Sequence, residues 1–163
     1  MSEPTILRTE LWHPLTVHFP ISFLLLATVV KAVALILKGE RSVFWQKVGS
    51  FLLVLGAAGA WLAVYTGNLA EGTVARKICD PILLKSHELA SLNMAWLFTG
   101  AFVLEIVQHL NFLQKKVMVL RVLTTLIMVG GAGYLIYTSH LGAQVVYEQA
   151  GGVNVPPSDC AGL

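Results

Sequence analysis

The chain has 163 residues, 56% of them hydrophobic and only 12% charged, and a mean hydropathy of +0.72. That is too apolar for an ordinary soluble domain and indicates one small integral membrane domain. A formal net charge of +2 leaves no electrostatic footprint for nucleic acid.

A helix needs roughly 20 mostly apolar residues to cross the hydrocarbon core. Four segments meet that length: 14–37, 48–66, 89–108 and 117–138. They predict an all-α, antiparallel up-and-down four-helix bundle. An outer loop over 67–88 and a tail over 139–163 then lie on the same side as the N-terminus. The first apolar run is too long for a signal-peptide core and has no basic residues close before it, so it reads as a retained helix.

Helix one opens with Trp12-His13-Pro14-Leu15-Thr16-Val17-His18-Phe19-Pro20. Pro14 suits a first turn, where its missing amide proton costs nothing. Pro20 lies further in and frees a carbonyl near His18, which membrane helices tolerate when a neighbour satisfies it. At 100° per residue His13 and His18 stand about 140° apart around the helix, so they aim at different targets. Lys31 sits near the inner end of this helix and Glu105 at a matching depth of helix three. Intramembrane charge is costly enough to demand a partner, and the two are expected to form an ion pair.

Helix two carries Gly56, Ala57, Ala58, Gly59, Ala60 and Ala63, and helix four carries Gly130, Gly131, Ala132 and Gly133. Small residues in membrane helices usually serve close packing. A second reading makes Gly59, Gly133 and their neighbours the smooth walls of a site for a flat macrocycle. His87 starts helix three and His140 ends helix four, so His13, His18, His87 and His140 gather at one membrane face. His109 is alone at the other and reads as a solvated interface residue. Facing helices of a bundle commonly hold a cofactor in the core, and the expected axial ligands of a haem are His18 and His87, diagonal across the bundle. His13 and His140 are candidates for a second haem, for propionate hydrogen bonds or for accepting protons from a quinol. No cysteine-pair-histidine attachment motif occurs, so the haem would be of the non-covalent b type. Copper or zinc is the alternative, since imidazole suits both. Asn93 and Trp96 on helix three are candidates to line a cofactor pocket.

The turns after helices one and three hold Lys38, Arg41, Lys47, Lys115 and Lys116, with Arg121 one turn inside helix four; the other side holds Arg8, Arg76, Lys77 and Lys85. By the positive-inside rule both termini are non-cytoplasmic, which in a bacterial inner membrane means the periplasm. Aromatic residues fit belts at the two interfaces: Trp12, Trp61, Tyr65, Tyr134 and Tyr137 near one face, Phe44 and Trp45 near the other. Cys79 and Cys160 would share that oxidising compartment, where a disulfide is one of two outcomes and a pair of separate thiols the other.

The string His13-Pro14-Leu15-Thr16-Val17-His18-Phe19-Pro20 resembles the opening of bacterial membrane proteins catalogued as domain of unknown function (DUF) 2231. A histidine starting helix three (His87) and a Gly-rich stretch with Val-Tyr (Gly142 to Tyr147, then Gly151-Gly152-Val153) match its other marks. The similarity spans nearly the whole chain. It implies a four-helix membrane domain and makes haem binding a natural suspicion. No Rieske centre or c-type haem domain accompanies it, so a redox partner must be a separate chain.

These features together predict a b-type cytochrome-like subunit that passes electrons at the outer face, with a candidate quinol site, inside a larger respiratory or redox complex. It is an electron-transfer subunit rather than an enzyme on its own. The rivals are a cofactor-free anchor or assembly subunit and an outer-face copper- or zinc-handling protein.

Overall fold

Asp80-Pro81 starts the third helix in a way the sequence makes plain. The Asp80 carboxylate accepts hydrogen bonds from the amides of Ile82 (2.9 Å) and Leu83 (3.1 Å), and Pro81 takes the first helical position, where no donor is lost. At the opposite end of the molecule Ser42 donates to the Ala34 carbonyl (2.8 Å), and Gly39 adopts a φ of +61°. That left-handed conformation costs glycine little and lets the chain reverse within a few residues.

The computed structural model describes residues 9–108 and 116–153. A 3-10 turn, Thr9–Leu11, leads into α1 (Trp12–Ile36), followed by α2 (Gly39–Val74), α3 (Pro81–Gln108) and α4 (Val117–Tyr147). All four are long and apolar enough to span a membrane. The helices are longer than hydropathy alone indicates. The loop expected over 67–88 contracts to residues 75–80, and the tail expected from 139 stays helical as far as Tyr147. Leaving the apolar layer does not end a helix; α2 and α4 have no proline to stop them, and at about 1.5 Å per residue α2 is about 54 Å long, well beyond a hydrocarbon core of about 30 Å.

Packing divides the bundle into two hairpins, α1 with α2 and α3 with α4. The hairpins repeat one another. A step of 74 residues carries buried Leu24 to Phe98, Ala27 to Ala101 and Lys31 to Glu105; a step of 75 carries Leu53 to Met128, Gly56 to Gly131, Ala60 to Leu135 and Ala70 to Val145. In an up-and-down bundle such parallel repeats are related by an axis along the helices. Residues on that axis meet their own counterparts, as His13 meets His87 at one end and Lys31 meets Glu105 at the other. Between them lies an apolar core of Leu24, Leu53, Phe98, Met128 and their neighbours.

Each hairpin is closed by a glycine under a large side chain. A Cβ on Gly56 would lie 2.5 Å from Leu24 Cδ2, and one on Gly131 would lie 2.9 Å from Phe98 Cε2. Gly56 and Gly131 therefore serve packing within the hairpins. Gly59 lies against Pro20, and Gly133 points outward, where a Cβ meets nothing within 4 Å. Gly56→Ala and Gly131→Ala are expected to cost about 1–3 kcal/mol by overpacking, while Gly133→Ala should stay within about 0.5 kcal/mol. Unfolding of the three variants in detergent measures the difference.

Candidate functional site between the hairpins

His13 occupies the second position of α1, and its ring crosses to α2, where Nδ1 lies 2.9 Å from the Ala63 carbonyl oxygen. Gly67, one turn beyond Ala63, leaves the space the ring needs; a Cβ there would come within 3.2 Å of it. Thr16 and Thr66 join their hydroxyls at 2.9 Å and brace the same crossing. The second hairpin repeats the device. His87 Nδ1 lies 3.0 Å from the Thr138 carbonyl oxygen, and Gly142, one turn beyond, would place a Cβ 3.0 Å from the ring.

A carbonyl can only accept, so each Nδ1 carries the proton and each Nε2 keeps its lone pair. A backbone carbonyl holding one ring nitrogen is the arrangement that orients a metal-ligating histidine. The two rings face each other edge to face, with centroids 6.1 Å apart and planes at 79°. Imidazole–metal bonds are about 2.0–2.1 Å and the ring centre lies about 1 Å behind its nitrogen, so two rings on one ion stand about 6 Å apart.

Both rings line a cleft of about 540 Å³ between the hairpins, within the roughly 300–1,000 Å³ of small-molecule and cofactor sites. Met94, Leu135 and Val145 contribute apolar walls, and Glu10, Glu71 and Glu88 bring carboxylates. Thr138 also lines it, and its buried hydroxyl makes no hydrogen bond to a described residue. Among the described residues no three His, Cys, Asp or Glu side chains converge on one point. Zinc takes three or four protein ligands. The cleft holds three histidines, His13, His18 and His87, of which His13 and His87 stand ring to ring.

The pair that depth along the helix favoured, His18 with His87, is not the pair brought together. His18 lines the cleft, but its side chain is exposed, and His13 is the ring beside His87. The two histidines of α1 point in different directions, and Pro20, two positions past His18, packs on Gly59 rather than opening a deeper site. His140 is exposed and lies outside the cleft, as do Gly59 and Gly133. Cys79 is exposed in the short turn before α3, whose amides at Cys79 and Asp80 both reach the Gln149 side chain at 3.2 Å. Cys160 and His109 lie outside the described residues.

Lys31 and Glu105 meet at 2.5 Å with side chains 2% and 8% exposed. Lys31 also donates to Gln46 Oε1 (3.1 Å) and Ser50 Oγ (2.8 Å), and Ser50 donates to the other Glu105 oxygen. Gly49 makes room for the lysine stem, since a Cβ there would lie 2.9 Å from Lys31 Cγ. At 1.5 Å per residue this cluster is about 27 Å along α1 from His13, with the apolar core between.

Sequence reasoning missed the pairing of His13 with His87 and the roles of Gly67 and Gly142. The signal was available as internal self-similarity, because the histidine and the buried charge recur at an offset of 74 and the interface glycines at 75.

Fold and site thus define a membrane-spanning bundle of two like hairpins that present a facing histidine pair in the cleft between them. The chain belongs to the family described as predicted membrane protein (DUF2231), whose model matches residues 11–155. No curated protein and no solved structure is detectably similar to it.

Proposed function

We propose that this protein is a b-type haem subunit of a membrane redox complex, in which His13 and His87 would hold the iron. The observation that carries the reading is the matched pair of rings, each fixed through Nδ1 to a carbonyl of its own hairpin, with Nε2 left for a ligand. Haem would supply one-electron transfer there. The chain's part is to hold the imidazoles apart at a set spacing, to orient them through Ala63 and Thr138, and to keep water from one side with Met94 and Leu135. His18, at the cleft's edge, is placed to touch a propionate or a second ligand.

A visible spectrum of protein purified from cells supplied with haem precursors tests this directly. A sharp reduced-state band of a six-coordinate b haem is expected. A colourless protein with copper or zinc bound would support the metal-handling reading, and a colourless, metal-free protein would support an anchor held together by its cross-helix histidine bonds.

The cleft is assigned to the periplasmic face of a bacterial inner membrane. Lys38, Arg41, Lys47, Lys116 and Arg121 cluster at the opposite end of the bundle, against Arg76, Lys77 and Lys85 at the cleft end. A phosphatase reporter fused after Leu163 should be active and a cytoplasmic fluorescent reporter dark. The reverse result would put the histidine pair on the cytoplasmic side.

A further inference from the structure

The internal repeat provides a control for every surface of the molecule, and one surface departs from it. A notch of about 340 Å³ opens on the outer side of the second hairpin, lined by Asn93, Trp96, Leu97 and Gly100 of α3 and Tyr134 of α4. Trp96 and Tyr134 are 61% and 41% exposed, and a Cβ on Gly100 would meet nothing within 4 Å. The equivalent positions of the first hairpin are Phe19, Ser22, Phe23, Leu26 and Gly59. There Phe19 and Phe23 stand with ring centroids 6.3 Å apart and Pro20 covers Gly59. The same backbone thus carries an ordinary apolar, lipid-facing surface on one side and a notch with hydrogen-bonding walls on the other.

Asn93 lies six residues past His87, about 9 Å deeper along α3. Its side chain is exposed on the face turned to the bilayer, and its amide makes no hydrogen bond to a described residue. An amide without a partner in hydrocarbon is costly, so a ligand that enters from the lipid is the natural source of one. Trp96 is braced from behind, edge to face, by Trp61 at 4.9 Å, and Trp61 is itself fixed by a 2.9 Å bond from its indole nitrogen to the Thr99 hydroxyl.

We propose that this notch binds the head group of a membrane quinone or quinol. Trp96 and Tyr134 offer aromatic faces to a flat ring, and Gly100 gives the ring a floor without a side chain. The Asn93 amide can donate to a quinone carbonyl or accept from a quinol hydroxyl. Among the described residues no charged group lines the notch, which suits a neutral ligand whose tail stays among the lipid chains. The choice of a redox-active ring rests on the haem reading; the notch and its polar walls do not.

The test is a titration of the detergent-solubilised protein with decylubiquinone, read as quenching of tryptophan fluorescence. Saturable quenching is expected, weakened about tenfold in Asn93→Leu by the loss of one hydrogen bond, and abolished in Gly100→Leu, which fills the floor. Leu26→Ala, the counterpart of Gly100 on the first hairpin, should bind as the wild type does. Both notch variants alter lipid-facing positions, and either one alone is decisive if the other fails to fold. Quenching that rises linearly without saturation, or that is unchanged in the notch variants, would overturn the proposal. So would a change of oligomeric state in Gly100→Leu with quinone binding intact, which would make the notch a seat for another helix. The titration reads binding whether or not haem is present, so its failure is distinct from failure of the haem assignment.

Discussion

His13→Ala and His87→Ala should each abolish the low-spin haem spectrum, by loss of the haem or by conversion to a five-coordinate, high-spin form. His18→Ala and His140→Ala should leave a six-coordinate spectrum in place. The distinction rests on geometry. Both predicted ligands have Nδ1 engaged by a backbone carbonyl across the hairpin, at 2.9 and 3.0 Å, and their rings stand 6.1 Å apart in one cleft. His18 is exposed at the cleft's edge and His140 is outside it. Loss of His18 is expected to shift the potential or the stability of the bound group while its stoichiometry stays at one per chain. Optical spectra of the oxidised and reduced forms, with haem counted by extraction, separate these outcomes. A six-coordinate spectrum retained in both His13→Ala and His87→Ala would remove the pair from the site, and His18 would return as the ligand to test.

Breaking the buried ion pair should destabilise the bundle more than removing it. Lys31→Met takes from buried Glu105 the ammonium it meets, and Glu105→Gln takes from buried Lys31 the carboxylate it meets; each is expected to cost about 3–5 kcal/mol. The double variant should lose markedly less than the sum, because two neutral side chains of similar size replace two charges that no longer need one another. Denaturant or thermal unfolding in detergent completes the cycle. Additive losses would show that the contact, although 2.5 Å long, contributes no coupling. The repeat explains why the partners differ in sign. These two positions are counterparts on the axis, where a residue meets its own equivalent, and identical charges there would repel across the same short distance.

Much of the architecture was written in composition and spacing. The four apolar runs, the bias of lysine and arginine between the two ends, and the need of Lys31 for a partner follow from transfer energetics that act on each segment by itself. Helix ends were less legible, because hydropathy marks where the chain leaves hydrocarbon and not where its backbone hydrogen bonds stop; hence the helical turns after Thr66 and Thr138 that build the cleft. The glycines were legible as small residues but not by role. Gly56 and Gly131 receive Leu24 and Phe98, Gly67 and Gly142 receive the two histidine rings, and Gly100 and Gly133 receive nothing from the chain. What only the tertiary structure decided is which histidine meets His87. Position along one helix sets depth and direction around that helix's own axis, but the rotation of each helix in the bundle is set by contacts with the others. Packing of Leu24 on Gly56 and Phe98 on Gly131 accompanies a rotation of α1 and α3 in which His13 and His87 meet at the shared axis and His18 is left exposed at the cleft's edge.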